Sequence, residues 1–379
     1  MPSSTSSSDN YYRQVPEKPW GKMLLICLLV TVIGVSGWEW LSRTMQHEAG
    51  TYQDHSDAMW AEERRKLDKP DHSIRMVLTG SSRMLWGADL DILEQAFGTR
   101  PLQLSLPGTS PAIFVKDIVE NTDFDGVIVV GVTPFLFNWI GPGYFGKDAL
   151  DVYHNQSPSH WVGTRIHRFL SDHLAFLDEA FSLVELVDHY VVVPERAGAK
   201  VLNEQGWKLG NAYADRQMDM WAPVEVPGSF DNRQVINFWM PGIRRPIPED
   251  DKLQEMADEA IAFFKPLIST LRARGGEIIF IRMPSSGEYL NKDLKADYRH
   301  KVWDKMVDGW QAMAIDSMDY PELSSELDIP EWSHLSRASQ DLWSERIATH
   351  IKLSFKQYSG HTLEDILKDV KITAKDKGD

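Results

Sequence analysis

Ile74-Arg75-Met76-Val77-Leu78-Thr79-Gly80-Ser81-Ser82-Arg83 decides the fold of this chain. Residues 74–79 read as a buried strand that stops at Gly80, and two serines follow at once. Residues 127–132, VIVVGV, form an unbroken β-branched run of the kind buried on both faces of a parallel sheet. Residues 277–283, EIIFIRM, are a second such run, entered through Gly275-Gly276, and LQLSL at 102–106 is a weaker one. Helical patterns separate these runs at about 88–97, 111–120, 252–274 and 294–314. Strands alternating with helices predict an α/β fold, a three-layer arrangement with helices on both faces of a parallel sheet.

The rhythm breaks between Phe135 and Asp250. A Gly/Pro-rich loop comes first, then a helical stretch at about 160–190, then a segment rich in Trp and Pro. This reads as a long insertion, about residues 135–250, placed after a sheet strand where open α/β folds bind ligands. It serves substrate or partner recognition, or it simply extends a helical layer. The expected α/β domain spans residues 71–355, and residues 356–379 form a peripheral tail with the short amphipathic turn LEDILKDV. No internal repeat is visible.

The N-terminus carries a different signal. Residues 1–10 are polar and serine-rich, and the tail to residue 19 is expected to be disordered. MLLICLLVTVIGVSGW follows Lys22, bracketed by Trp20 on one side and Trp38 and Trp40 on the other. As a helix, Trp20 to Trp40 would rise roughly 30 Å, close to a bilayer's hydrocarbon thickness. Residues 20–42 are therefore expected to be one transmembrane anchor. Arg13, Lys18 and Lys22 favour a cytoplasmic N-terminus, which places the main domain outside the cytoplasm. VSGWEW is a poor cleavage site for the rival reading, a removed signal peptide. Residues 43–70, including EERRKLDK, are expected to be a charged stalk, read as a solvated linker.

Composition narrows the chemistry. The 379 residues carry a formal charge of −15, which argues against a general nucleic-acid binder. Cys27 is the sole cysteine, so no intrachain disulfide or thiolate zinc cluster can form. His154, His160, His167 and His173 have no metal-ligand spacing. Gly141-Pro142-Gly143 does not open a helix after a strand as a phosphate loop does, so neither metal nor cofactor is expected.

Two motifs can carry catalysis. Ser82 sits just past the first strand, at the carboxyl edge of the sheet and the start of the next helix, and needs a base to become a nucleophile. Gly-Ser-Ser is also ordinary helix-capping sequence. Far along the chain, Asp328-Ile329-Pro330-Glu331-Trp332-Ser333-His334 supplies an imidazole with a carboxylate three residues before it. His334 can accept a serine proton near neutral pH, and Glu331 can hold its ring. The bland alternative is a solvated histidine at a helix start. Arg83 can meet an acidic substrate or close a surface salt bridge. Arg282 and Ser285-Ser286, just past a strand, line the cleft or cap a loop.

GSSR after the first strand, Pro107-Gly108 after the second, Gly131 ending the third and E-x-S-H-L near the end resemble the SGNH (GDSL-like) hydrolase superfamily. The likeness covers about residues 74–350 without the insertion. It leans towards membrane-anchored bacterial members that work with membrane-bound O-acyltransferases on cell-surface polymers, such as the D-alanyl transfer protein of teichoic acid synthesis and the alginate acetylation proteins. Phe280 to Tyr289 also looks like a strand segment of such proteins. The resemblance implies Ser82 as nucleophile, His334 as base and Glu331 in place of the usual aspartate, with Asp328 in reserve. It implies oxyanion donors at the backbone N–H groups of Ser82 and Gly108. The family's third-block asparagine has no clear match, leaving Thr133 or Asn138 to stand in. It further implies transfer of an acyl group, acetyl foremost, to a polysaccharide at the bacterial inner membrane with a multi-pass O-acyltransferase partner. Removal of such groups by the same residues, or a non-catalytic docking subunit, are the alternatives.

Overall fold

The structure, a computed structural model, describes residues 18–44, 57–69, 73–138, 140, 144–178, 208–359 and 362–368. The chain divides into two units, Met1–His47 and Glu48–Asp379. In the first, Trp20–Thr44 forms one helix, α1, long and apolar enough to cross a membrane. Its apolar side chains are exposed around it, Leu24 and Ile33 among the most open. A helix that is hydrophobic all round belongs in an apolar surround rather than at a water-facing surface.

In the second unit α2 (Asp57–Arg64) precedes β1 (Met76–Thr79), α3 (Ser82–Gly87) and α4 (Leu90–Phe97). Then come β2 (Leu102–Gln103), α5 (Ala112–Asn121), β3 (Val127–Val132), α6 (Tyr144–Asn155) and α7 (Pro158–Ser171). A small antiparallel pair follows, β4 (Gly210–Ala212) and β5 (Met218–Met220), then α8 (Phe230–Ile243) and α9 (Asp250–Ala273). The unit closes with β6 (Glu277–Arg282), α10 (Gly287–Ala296), α11 (Asp304–Trp310), β7 (Met313–Asp316), α12 (Arg337–Ser359) and α13 (Leu363–Leu367).

Five strands form one parallel sheet in the order β2-β1-β3-β6-β7. The chain winds one way from β1 to β2 and the other way from β3 onward. Doubly wound sheets bind ligands where that direction switches, outside the carboxyl ends of the strands. Here the switch lies between β1 and β3. Register aligns those ends: Thr79 pairs with Val130, Val132 with Arg282, and Arg282 with Asp316. The loops after these strands therefore share one rim.

The strand pattern explains the layers. Val77, Ile128, Val130, Ile278 and Phe280 face one core with Phe114, Phe264 and Trp310. Met76, Leu78, Val127, Val129, Ile279 and Ile281 face the other with Leu93, Trp343 and Ile351. Alternate side chains point to opposite faces of a strand, so runs apolar at every position need a helical layer on each side.

Two expected boundaries are corrected. Residues 57–69 are not a solvated stalk. Trp60 is fully buried, packs tilted against Phe114 with ring centroids 4.6 Å apart and donates its indole N–H to the Leu104 carbonyl at 2.9 Å. Arg64, equally buried, pairs with Asp117 at 2.6 Å. The charged residues that suggested a linker lie among buried Ala58, Met59 and Ala61. Trp60→Ala should cost about 3–5 kcal/mol in denaturant unfolding, whereas a true linker position would move stability very little. The tail is likewise not wholly peripheral. Leu363 and Leu367 of α13 enter the second core, and Arg75 donates to the Ile366 carbonyl at 2.6 Å. The N-terminal tail to residue 17, residues 45–56, residues 179–190 of the expected helix and the tail from residue 369 lie outside the described residues.

Candidate active site

Gly80 ends β1 against Gly131 of β3. A Cβ on Gly80 would lie 3.2 Å from the Gly131 Cα and 2.8 Å from the Met84 Cβ, so this close approach needs both glycines. Ser81 then caps α3, its hydroxyl accepting from the Arg83 N–H and sharing a 2.6 Å hydrogen bond with Thr133. That buries Ser81 as a fastening between β1 and β3. Ser82, the first residue of α3, is half-buried. Its hydroxyl makes no hydrogen bond among the described residues, so of the two serines it is the one left for chemistry.

The histidine arrives on the loop between β7 and α12. Ser286 holds that loop twice, its N–H donating to Trp332 O at 3.1 Å and its hydroxyl to Ile329 O at 3.0 Å. Asn232 of α8 donates to Pro330 O at 3.1 Å. Trp332 has φ +77°, a conformation costly for a bulky residue and tolerated only where surroundings over-determine it. Part of that determination is Gly287: a Cβ there would fall 2.2 Å from the Trp332 ring.

Inside this loop the His334 and Glu331 side chains are fully buried and their Nδ1 and Oε1 atoms stand 2.8 Å apart. The His334 backbone N–H donates to the same oxygen at 2.5 Å, and the Trp239 indole N–H donates to the other carboxylate oxygen. A carboxylate only accepts, so Nδ1 carries a proton, and in the neutral ring Nε2 then presents its lone pair. Nε2 is buried and has no hydrogen-bond partner among the described residues. A buried polar atom left unsatisfied is unusual, and a catalytic role is one of the recognised reasons. Trp86 and Trp239 flank the imidazole, with centroids 5.1 Å and 5.6 Å from it.

The serine and histidine segments meet. Trp86 lies four residues after Ser82, hence on the same face of α3 and one turn along. Arg83 Nε–H donates to Ser333 Oγ at 3.3 Å. Two loops some 250 positions apart thus share the rim beside the switch point. No hydrogen bond joins the Ser82 hydroxyl to Nε2 in this structure.

The other expected site residues divide. Gly108 is exposed, with φ +65°, two positions past Leu106, whose N–H donates to Gly80 O at 3.1 Å. It stays near the Ser82 turn. Asn138 does not. Its amide donates to Met256 O and the Met306 sulfur, both at 3.3 Å, and its carbonyl accepts from Tyr298. Phe135, in left-handed conformation at φ +66°, turns the chain on the way to this second position in the core. Asn138→Ala should therefore lower stability by about 1–3 kcal/mol by leaving the buried Tyr298 hydroxyl without its acceptor; a loss of turnover without a loss of stability would contradict this placement. Thr133 lies at the rim but is engaged with Ser81. Arg282 is not in a cleft: it pairs with Asp316 at 2.6 Å and with Asp293, all three buried. Ser285 is buried too, and Ser286 serves the histidine loop. Asp328 contributes backbone bonds to Ser336 and Ser339, so Glu331 is the carboxylate that His334 uses.

Trp86 and Trp239 were not foreseen. The spacing of Trp86 from Ser82 was a usable signal, but nothing local pointed to Trp239, which comes from a remote helix. Arg83 forms no salt bridge at the helix start among the described residues. It is 5% exposed, its guanidinium 5.0 Å from the Tyr289 ring. Burial pulls its pKa below the ordinary value, opposed by Tyr289, Asp293 and Glu331. Among the described residues no group of three His, Cys, Asp or Glu side chains could hold a metal ion.

No protein-family model matches the chain, and no curated protein matches it. Fold and site define a class of their own accord: a doubly wound parallel α/β protein with an apolar N-terminal helix and a buried His–Glu pair on a loop that meets the serine-bearing helix through Arg83–Ser333 and Trp86–His334.

Proposed function

We propose that this chain is a membrane-anchored, SGNH-like serine acyltransferase that places acyl groups, acetyl foremost, on a polysaccharide outside the cytoplasm. The observation that carries the reading is His334: its Nδ1–H is held by Glu331 while a buried, unpartnered Nε2 stands next to the helix that Ser82 begins. Such an imidazole is oriented and in the tautomer a general base requires.

In the proposed reaction the Ser82 hydroxyl oxygen bonds to the carbonyl carbon of an ester while its proton passes to Nε2. The tetrahedral oxyanion is met by the Ser82 and Gly108 backbone N–H groups. The ester C–O bond breaks and Nε2 returns the proton to the departing oxygen, leaving an acyl-serine. A sugar hydroxyl then attacks the acyl carbon, gives its proton to Nε2, and Ser82 leaves with that proton. With Asn138 in the core, the oxyanion lacks the family's third donor; such a donor is worth about 10²–10³ in rate. Water in place of the sugar hydroxyl turns the same steps into an esterase.

Residues 135–250, which lie between β3 and β6 of the parallel sheet, are read as a long insertion in the family's fold. α1 supports a membrane anchor; in the proposed reading the membrane is the bacterial inner membrane, the N-terminus is cytoplasmic, the catalytic unit is periplasmic and a multi-pass O-acyltransferase supplies the acyl donor. Polymer ester content in a deletion strain tests the direction. Transfer predicts a loss of ester, and esterase action predicts a gain. Unchanged ester content excludes both. The position of Asn138 favours a non-catalytic docking subunit as the second reading, and a Ser82→Ala strain with full polymer modification would select it.

A further inference from the structure

Arg83 follows the proposed nucleophile directly, yet acyl transfer leaves its charge unused. Arg64, Arg75 and Arg282 are about as deeply buried, and each closes an ion pair with aspartate at 2.5–2.6 Å. Arg83 closes none among the described residues. Its Nε–H goes to the neutral Ser333 hydroxyl, and no hydrogen bond engages its terminal nitrogens there. Asp293 and Glu331 lie near enough to act on Arg83 through space, but neither closes an ion pair with it among the described residues: Asp293 is paired with Arg282, and the Glu331 oxygens are taken by two N–H groups of His334 and the Trp239 indole. A buried cation without a carboxylate is costly unless an anion joins it.

Sheet order says where that anion would sit. Arg83 reaches Tyr289, on the element after β6, and Ser333, on the loop after β7. Gly108 follows β2, at the opposite side of β1. The guanidinium therefore leans away from the oxyanion side and towards where an acceptor or leaving group would lie. Tyr289 and Trp239, with ring centroids 6.5 Å apart, stand on that side and offer faces on which a sugar ring can pack.

We propose that Arg83 binds a singly charged oxyanion on the substrate, which makes the substrate of Ser82 an acidic glycan. The proposal rests on the acyl-transfer reading of that serine. A uronate carboxylate and a phosphodiester present the same paired oxygens to the guanidinium fork. A second negative charge is disfavoured by the nearby Glu331.

The test uses the full chain in detergent with Ser82→Ala, so that binding is measured without turnover. Oligogalacturonate, an oligomer of glycerol phosphate and a cello-oligosaccharide of matched length are titrated by calorimetry. At least one acidic oligomer should bind about tenfold or more tightly than the neutral one, and which of the two does so names the anion. Adding Arg83→Gln should erase the preference. Arg83→Lys should restore only part of it, because an ammonium lacks the planar fork. An absent charge preference, or one that survives Arg83→Gln, overturns the proposal. A second measurement leaves the buried arginine intact: free galacturonate should compete with the bound oligomer where glucose does not, and equal competition also overturns it. If Arg83-dependent binding holds while wild type never turns over an acetylated acidic oligomer, the acyl-transfer reading fails alone; turnover without charge preference sinks the anion site alone.

Discussion

A glutamine at position 331 is expected to lower ester turnover by about 10⁴-fold, the loss typical when the carboxylate behind a catalytic histidine becomes an amide and the ring takes the wrong tautomer. The Glu331 carboxylate accepts from the His334 backbone N–H, from Nδ1–H and from the Trp239 indole. A carboxamide oxygen can serve one side, but its NH₂ must then face a donor on the other. Either the indole loses its acceptor or Nδ1 becomes the acceptor, and in the second case the proton moves to Nε2. An imidazole protonated there cannot receive the serine proton. The same exchange should cost about 1–3 kcal/mol of stability through the unpaired donor. The check is kcat on a small acetyl ester beside a denaturant midpoint. A drop in stability with unchanged kcat would mean that Glu331 only fastens its loop.

Ser82→Ala should remove turnover by at least about 10³-fold, since removing a nucleophile leaves only the residual catalysis of oxyanion donors and binding. Folding should be almost untouched, because the half-buried Ser82 hydroxyl holds no partner among the described residues. Ser81→Ala should give the inverse pattern. That residue caps α3 and bonds to Thr133 across the strand ends, so its loss should cost about 1 kcal/mol. Its effect on turnover should come only from a shifted turn. Steady-state kinetics and unfolding on both variants separate the two serines. Equal losses of turnover would show that the turn as a whole, and not the Ser82 hydroxyl, is needed.

What was legible in the chain was what local pattern determines. The run VIVVGV became β3 with the expected ends, because β-branched residues buried on both faces admit little else. Glu331 and His334 were readable as a pair because they stand three positions apart and no distant contact is needed to bring them together. β7 was missed: Met313–Asp316 is only four residues long, and its first two residues fell at the end of a stretch expected to be helical. That stretch, 294–314, is broken at Asp297 and Gln311, both left-handed at φ +51°, and neither is the glycine that would have announced a break. Trp60 was hidden among charged neighbours whose own burial depends on α5 and α6. Asn138 was misplaced because its position depends on the turn at Phe135, and no spacing count encodes that. Trp239, Tyr289 and Ser286 shape the histidine pocket from segments far apart in sequence, so only the packed sheet edge brings them there.

The sharpest test of the account is covalent labelling with a fluorophosphonate, followed by mass spectrometry of the peptides. Attack by an activated serine should place the phosphonyl group on Ser82, and His334→Ala and Ser82→Ala should each abolish the adduct in folded protein. A wild-type chain that stays unlabelled, or that carries the group on Ser81 or elsewhere, would contradict the claim that His334 activates Ser82.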